Sequence, residues 1–382
     1  ANAGIDITID IHPIGATHPN TYQITLKNSR ETHSMIALST GGGMIQVTAI
    51  DSAFVSMDGD FHETLIYVKE GSQTMALLEL YPVFEEVTLH RGALDFIEIK
   101  SVKPVAADLL DSIKEMDDVL YIRHLAPVLP VLSRKDLRVP FITAEQMVRY
   151  NADKNLPLWK LATHYEAARG NISESEVFEK MREIVRIMKH SVRNGLNGTH
   201  YEDRILGAQS PRFREKMENG ELVAGDVLNT VIMYVSAIME TKSSMGVIVA
   251  APTAGSCGAL AGTVLGTAYV LGHEEEEIVK AMLAAGLIGV FIAAHATFAA
   301  EVGGCMAECG SGSGMAAAAI IELKEGTLEQ SLAAASMALQ TSLGMVCDTI
   351  ADRVEAPCLN RNVMAASNAL SCANMALAGY NH

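Results

Sequence analysis

Aromatic residues are scarce in this sequence, and positive charges are outnumbered by negative ones. Phe, Trp and Tyr make up only 5% of the 382 residues, and Trp159 is the single tryptophan. The 29 Lys and Arg residues face 45 Asp and Glu residues, which gives a net charge of −16. Because an acidic surface repels the phosphate backbone, this composition argues against a nucleic-acid partner. With 49% hydrophobic residues, the chain is also not intrinsically disordered.

Long apolar runs are missing as well. No uninterrupted apolar stretch reaches the ~18–20 residues that a membrane-spanning helix needs. The nearest stretch, residues 281–300, is interrupted by Gly286, Gly289, His295 and Thr297. We interpret it as a buried helix of a soluble protein and predict no membrane association. No secretory signal peptide is recognisable at the start of the chain.

Cysteine is absent from the first 256 residues, and all six cysteines lie in the last third. A secreted disulfide scaffold would spread its cysteines along a short chain, so this grouping indicates reduced thiols. The spacing contains no Cys-x-x-Cys zinc knuckle. The cysteines are Cys257, Cys305, Cys309, Cys347, Cys358 and Cys372.

The first hundred residues alternate between apolar and polar, as half-buried strands do. The run Ile5-Asp6-Ile7-Thr8-Ile9 is the clearest example. Strands are predicted over residues 5–11, 22–27, 44–50, 64–68 and 74–80, with turns at 41–43 and 58–60 and a helix over 104–117.

The strand pattern fades after about residue 135, and small-residue helical segments follow. Thr143 and Thr327 each precede a Gln by three residues, a spacing typical of a capping box. We predict an α+β protein with a mixed strand and helix domain over 1–138 and an all-helical domain over 139–382. The predicted helices cover residues 156–170, 173–195, 225–242, 281–300, 315–323 and 327–343, and a further helix begins near Ala259.

A run of small residues precedes that further helix. It reads Ala251-Pro-Thr-Ala-Gly-Ser-Cys-Gly258. Backbone N–H groups that converge at a helix N-terminus favour an anion such as a carboxylate, and the Thr253 and Ser256 hydroxyls add donors. The same residues also suit a tight turn that only caps the helix.

Three cysteines stand in Gly- or Pro-rich surroundings. Cys305 belongs to Gly303-Gly-Cys-Met-Ala-Glu308, while Cys347 and Cys358 are separated by eleven positions and Pro357 precedes the second. Three separated thiolates suit an iron–sulfur cluster better than tetrahedral zinc and leave one iron without a protein ligand. For any one of these cysteines, the alternative is a buried free thiol.

A histidine also precedes the second predicted strand, in His18-Pro-Asn-Thr21. Such a residue can serve as an acid or base. It can equally be a hydrogen-bonded turn histidine.

Together these residues resemble the iron–sulfur-dependent L-serine dehydratases. The resemblance covers roughly residues 245–380 through 251–256, 303–308, Cys347, Pro357-Cys358, 362–368 and 375–379. The N-terminal half resembles the family's smaller β portion more loosely, through 18–21 and 41–44. The resemblance therefore implies one polypeptide that fuses the β and α portions.

The resemblance implies a cytoplasmic, oxygen-sensitive enzyme that converts L-serine into pyruvate and ammonia. It implies a [4Fe-4S] cluster bound by Cys305, Cys347 and Cys358, with the substrate's hydroxyl on the remaining iron. A base removes the α-proton, and we predict His18 for that role with His295 second. The predicted substrate-binding residues are Asn20, Thr253, Ala254, Gly255 and Ser256. We expect a homodimer, since Gly- and Ala-rich helices often pack in dimers.

Two departures from the family pattern leave other functions open. The family's Ser-Ser-Ser-His-Thr run is not found here, so it lies upstream of Ala1 or the lid is lost. The usual Asn-Asn-Ala-Ser stretch reads Ala294-His-Ala-Thr297. The alternatives are the same elimination on threonine, cysteine or a hydroxy acid, and a catalytically silent amino-acid-binding relative. Cys257, Cys309 and Cys372 are predicted not to bind the cluster.

Overall fold

The computed structural model describes residues 4–10, 12–18, 20–41, 44–74, 78, 84–127, 138–351 and 353–380. The chain forms two compact units. One unit comprises Ala1–Thr40 and Met44–Val131, and the other comprises Gly41–Gly43 and Leu132–His382. The predicted α+β class is confirmed, because the first unit is built on strands and the second is largely helical. The domain boundary after residue 138 borders the part that is not described and stays a prediction.

The described part of the first unit includes two four-stranded sheets and the helix α1. The first sheet has the order β1-β2-β3-β4 and the second has the order β6-β7-β5-β8. Ile66 and Ile97 of the second sheet pack with Ile113 of the helix in one core cluster. The elements are β1 (Thr21–Lys27), β2 (Thr32–Gly41), β3 (Met44–Ile50), β4 (Ala53–Met57), β5 (His62–Val68), β6 (Glu86–His90), β7 (Asp95–Ser101), α1 (Ala107–Lys114) and β8 (Val119–Leu125).

The strand predictions over 22–27, 44–50 and 64–68 are confirmed. The prediction over 5–11 is wrong for the residues described, since 5–10 form no strand and the side chain of Ile9 is 77% exposed. Alternation makes a strand only where a neighbour accepts the backbone hydrogen bonds. Thr74 and Leu78 are helical, contrary to the prediction over 74–80, and the rest of that run lies outside the described residues. Gly42 and Gly43 of the predicted turn also lie outside them.

The second sheet buries a pair of carboxyl groups. Glu63 on β5 and Glu98 on β7 are diagonal neighbours in the strand register, because Glu63 pairs with Lys100 and Leu65 with Glu98. One Glu98 oxygen lies 2.7 Å from His90 Nε2. Within the described residues, Glu63 Oε2 and the other Glu98 oxygen are buried without a hydrogen-bond partner. The pKa of Glu63 is raised to about 8. The largest cause is burial of the carboxyl group, and the second is the charge of the nearby Glu98.

The second unit is a packed set of helices. The capping boxes predicted at Thr143 and Thr327 are both present. The helices are α2 (Ala144–Asn151), α3 (Leu158–Gly170), α4 (Glu174–Leu196), α5 (Ser210–Glu218), α6 (Asp226–Ser243), α7 (Cys257–Leu271), α8 (Glu275–His295), α9 (Ala300–Gly303), α10 (Ser311–Leu323), α11 (Leu328–Thr341) and α12 (Glu355–Leu377), with a π-helical turn at Met306–Gly310.

Helix α8 is the one described helix that is long and apolar enough to cross a membrane, judged by length and composition only. Its most apolar window is 61% buried inside the structure, among the residues of the main core cluster. The interpretation as a buried core helix is thus confirmed. The helix begins earlier than predicted and ends at His295 rather than residue 300.

Small residues let α6 and α7 pack closely. A Cβ at Gly262 would lie 2.7 Å from the Cα of Val235, and one at Gly266 would lie 3.0 Å from the Cα of Val231. These distances leave no room for a side chain between the two backbones. The close approach holds the N-terminus of α7, and the loop before it, in a fixed position.

Candidate functional site

The loop before α7 is held by its own hydroxyl groups. The Thr253 N–H donates to Ser256 Oγ, and the Ser256 N–H donates to Thr253 Oγ1, both at 3.2 Å. The two side-chain oxygens lie 3.0 Å apart, and both residues are buried. Ala254, in contrast, is exposed. Among the described residues, the backbone N–H groups of Ala254 and Gly255 have no acceptor, so the tip of the loop presents free donors.

A carboxylate already sits against this loop. Thr253 Oγ1 donates a 2.6 Å hydrogen bond to Glu308 Oε1. Because a hydroxyl has one proton, Ser256 must then donate to Thr253. A Cβ at Gly255 would lie 2.6 and 2.7 Å from the two Glu308 oxygens. An added Cβ would therefore displace the carboxylate, because the bare Cα of Gly255 leaves the space in which Glu308 lies.

The fully buried Asn362 of α12 fastens the same loop to the last helix. Its Nδ2 donates to the carbonyl oxygen of Gly255 at 2.8 Å and to that of Cys358 at 2.7 Å. Its Oδ1 accepts from the N–H of Ala259 at 2.8 Å. Ala259 is the third residue of α7, so this side chain caps α7 from a distant part of the sequence. It also links the loop to the helix that carries Cys358.

Cys305 and Cys347 are brought together by backbone contacts. Gly304 has a φ of +65°, and a Cβ there would lie 3.2 Å from the backbone nitrogen of Cys347. The N–H of Met306 donates to the carbonyl oxygen of Met345 at 2.8 Å. The 345–347 segment therefore passes directly over the start of the π-helical turn. Such turns are frequent at functional sites.

The three predicted ligand thiols influence one another. The pKa of Cys305 is raised to about 12, first by burial and then by a hydrogen bond to Cys347 and the charges of Cys347, Cys358 and Glu308. The pKa of Cys358 is raised by burial and also by Glu308 and Cys347, while Lys242 of α6 opposes the rise. The thiols thus share one neighbourhood in which thiolates repel one another.

This donor set fits an iron–sulfur cluster. The three thiols are free, and a cationic metal centre supplies the positive charge that would stabilise their thiolates. No three His, Cys, Asp or Glu side chains in the described ranges are close enough to hold a single metal ion. A cluster does not require that arrangement, because each cysteine binds a different iron. Cys305 and Cys358 are buried and Cys347 is exposed.

The three thiols lie in different kinds of secondary structure. Only Cys347 lies in a loop; Cys305 immediately precedes the π-helical turn, and Cys358 lies in the first turn of α12. The helical positions fix the direction of two of the three thiols. Asp348, which follows the exposed cysteine, lies 3.2 Å from a guanidinium nitrogen of Arg361 on α12. This contact ties the loop to the helix.

The other cysteines are all buried. The Cys257 thiol lies 3.7 Å from Met239 Sδ, and burial raises its pKa to about 12. Burial also raises the pKa of Cys309, and Asn362 Nδ2 lies 3.5 Å from its sulfur. Cys372 lies in the core on α12. That none of them binds the cluster stays a prediction.

The predicted bases lie in different units. His18 belongs to the first unit, where its Nδ1 accepts the N–H of Asn20 at 3.1 Å and its carbonyl oxygen accepts the hydroxyl of Thr21. His295 belongs to the second unit and is the exposed last residue of α8. Within the second unit, the described contacts do not place the His295 imidazole against the thiols.

Two site residues were not predicted from the sequence. Glu308 stands in the first cysteine motif and Asn362 in the stretch that follows the third cysteine, but neither was given a role. Their partners Thr253 and Gly255 lie 55 and 107 positions away. The signal available in the sequence was that Glu308 and Asn362 are polar residues in motifs that otherwise consist mostly of small and apolar residues.

Comparison with known proteins supports the resemblance. Residues 153–382 match the family model described as the serine dehydratase alpha chain. The chain belongs to this family. It is 34% identical to the probable L-serine dehydratase alpha chain of Bacillus subtilis (strain 168), over 63% of this chain and 80% of that protein. It is also 34% identical to the L-serine dehydratase alpha chain of Peptoniphilus asaccharolyticus, over 62% of this chain and 82% of that protein.

Full-length relatives match over a smaller share of their length. L-serine dehydratase 1 of Escherichia coli (strain K12) is 28% identical over 62% of this chain and 53% of that protein. The family match begins at residue 153 and so covers most of the helical unit, which begins at Leu132 apart from Gly41–Gly43. The likeness of the first unit to the family's β portion therefore stays a prediction.

Proposed function

We propose that this chain is an L-serine ammonia-lyase that converts L-serine into pyruvate and ammonia with a [4Fe-4S] cluster held by Cys305, Cys347 and Cys358. Membership of the serine dehydratase alpha chain family supports the reaction. The observation that carries the cofactor is the mutual influence of three free thiols beside the loop before α7. Their free state also supports a reducing, cytoplasmic location.

The reaction removes the α-proton of serine and the hydroxyl group on its β-carbon. The bound cluster would supply a Lewis acid for the departing hydroxyl group. The chain supplies the anion site, because the free N–H groups of Ala254 and Gly255 are suited to the substrate carboxylate. Holding that carboxylate at the N-terminus of α7 stabilises the negative charge that develops when the α-proton leaves.

We propose His18 as the proton acceptor, with His295 as the alternative. The Asn20 N–H occupies Nδ1 of His18, so that nitrogen takes a proton only after releasing this bond. His295 is exposed. In His295→Asn, a changed order of kcat/KM among serine, threonine and cysteine is expected if this side chain contacts the substrate. An unchanged order assigns the histidine no part in substrate choice.

Anaerobic purification followed by iron and sulfide analysis tests the cofactor. About four iron atoms per chain and broad absorption near about 400 nm are expected for the proposed cluster. A colourless chain without iron would overturn the cofactor assignment. The 2-oxo acid product is then measured with L-serine, threonine, cysteine and glycerate as substrates, together with ammonia for the three amino acids.

The same assay separates the remaining functions. Turnover of L-serine with the highest kcat/KM supports the proposal. Turnover of only another compound assigns the same chemistry to that substrate. Binding of an amino acid without turnover identifies a catalytically silent relative. We also propose that the protein is a homodimer. Light scattering during size-exclusion chromatography measures its mass, and the mass of a monomer would contradict this proposal.

A further inference from the structure

Glu308 is a half-buried carboxylate without a cationic partner. Its Oε1 accepts the hydroxyl proton of Thr253 at 2.6 Å. Within the described ranges, no Lys, Arg or His side chain forms an ion pair with it, and Oε2 accepts no hydrogen bond. A carboxylate held in place beside a site, but not neutralised there, is suited to bind a positively charged group.

The surroundings of Glu308 define which cation fits. Its two oxygens lie against the Cα of Gly255, as the 2.6 and 2.7 Å distances from an added Cβ indicate. Glu308 lies in the π-helical turn that directly follows Cys305, and Asn362 joins the carbonyl oxygens of Gly255 and Cys358. The carboxylate therefore adjoins both the loop before α7 and the segments that carry two of the thiols, where a small substrate would lie.

Hydrogen-bond donors suited to an anion lie next to the Glu308 carboxylate. The N–H groups of Ala254 and Gly255 point to no acceptor among the described residues. An anion-binding backbone and an unpaired carboxylate thus adjoin each other at one glycine. An α-amino acid carries a carboxylate and an ammonium group on a single carbon and matches this pair of charges.

We propose that Glu308 binds the α-ammonium group of the substrate and so selects α-amino acids over α-hydroxy acids. This inference rests on the proposed function for the identity of the substrate as an amino acid. An ammonium group offers three donors and a full positive charge, whereas the hydroxyl of a hydroxy acid offers one neutral donor. Thr253 acts as a positioning residue, because its hydroxyl holds the carboxylate over Gly255.

A neutral side chain of the same shape tests the role. In Glu308→Gln, loss of a charge-assisted hydrogen bond is expected to raise KM for L-serine by about 10- to 100-fold, with a smaller change in kcat. Glu329→Gln, an exposed carboxylate in the first turn of α11, is the matched control and should leave KM unchanged. Iron content is measured in each variant. A fall in kcat at unchanged KM would overturn the binding role.

Two unreactive probes separate this inference from the proposed reaction. L-alanine and L-lactate lack the leaving group and differ only in ammonium against hydroxyl, so calorimetric titration of the holoenzyme measures their binding without turnover. The wild-type chain should bind L-alanine at least about 10-fold more tightly, and Glu308→Gln should remove that preference. Equal binding of the two probes by the wild type, or a preference that survives in Glu308→Gln, would overturn the inference. Absence of serine turnover alone would contradict only the proposed function.

Discussion

Asn362 and Ala259 are joined by a 2.8 Å hydrogen bond across 103 positions of sequence. The same buried amide also holds the carbonyl oxygens of Gly255 and Cys358. One side chain therefore fixes the substrate loop, the N-terminus of α7 and a predicted cluster ligand relative to one another. An apolar replacement would leave the carbonyl oxygen of Gly255 without this donor, while the N–H of Ala259 would keep only its bond to the carbonyl oxygen of Ser256.

Asn362→Ala should therefore lower the free energy of unfolding by about 2–4 kcal/mol, because buried polar groups lose their partners. The measurement is chemical denaturation of the anaerobically prepared chain. Asn374→Ala, at an exposed position of the same helix, is the control and should change stability by less than about 0.5 kcal/mol. Equal effects of the two substitutions would show that the amide contacts contribute nothing.

Cys347→Ala should remove most of the bound iron, since it deletes one of three proposed ligands. We expect iron per chain to fall from about four atoms towards zero. Cys372→Ala removes a buried thiol outside the proposed ligand set and should keep the full iron content. Iron and sulfide analysis under anaerobic conditions decides the matter. Full iron occupancy in Cys347→Ala would exclude this residue as a ligand.

Gly304→Ala should reduce iron content at least several-fold. A methyl group there would lie 3.2 Å from both the nitrogen of Cys347 and the oxygen of Met345, and it must push the ligand loop away. Gly344→Ala is a matched control, because Gly344 also has a positive φ, +86°, but nothing lies within 4 Å of its added Cβ. Both positions have a positive φ, so a side chain introduces backbone strain in each variant. Equal iron loss in the two would attribute the effect to strain rather than to the contact.

Gly262→Ala should destabilise the chain by about 1–3 kcal/mol, because the added methyl group meets the Val235 backbone at 2.7 Å. Gly286→Ala in the middle of α8 provides the opposite case, since nothing lies within 4 Å of its added Cβ. That change should stabilise by about 0.5–1 kcal/mol, through higher helix propensity. Thermal denaturation of both variants gives the comparison. A stabilising Gly262→Ala would contradict the close approach of α6 and α7.

The buried Glu63 predicts a pH dependence of stability in the first unit. Its folded pKa of about 8 lies above the ordinary value of 4.5, so its contribution is complete below about pH 4.5. Between about pH 4.5 and about pH 8, the folded chain holds a proton that the unfolded chain has released. The free energy of unfolding therefore falls as the pH rises towards 8. Glu98 adds to the rise in pKa and so does Glu86, whereas Lys100 opposes it. His90 faces the same pair through Glu98.

Glu63→Gln cannot ionise and should make this decline shallower. The measurement is the difference in Tm between variant and wild type at about pH 5 and about pH 8.5, where we expect the advantage of the variant to grow with pH. Glu70→Gln replaces an exposed carboxylate and should give a constant difference. A Glu63→Gln advantage that shrinks as the pH rises would reverse the assigned direction.

Local signals in the sequence predicted much of the fold. The Thr143 and Thr327 capping boxes depend on a side chain and a backbone three residues away, and both are present. The Ile5–Ile9 alternation, in contrast, was a local pattern whose outcome depends on a distant partner strand. Because the described residues give it none, the alternation produced no strand.

The site was predictable only in part for the same reason. The thiols and the small-residue loop are recognisable as short motifs. That Glu308 lies against Gly255 follows from the packing of the π-helical turn near α7, which no single motif contains. That Cys358 lies in a helix follows from where α12 begins, after a loop whose residues give only weak helix signals.

The π-helical turn sets the direction in which the residue before it faces. Met306–Gly310 runs directly into α10, with Cys305 immediately before it. A π-helical turn holds one residue more than the α-helical turn it replaces. Winding the same residues as a regular α-helix would rotate everything upstream by about 100° about the axis. The thiol of Cys305 would then face a different direction from the two sulfurs with which it is proposed to act.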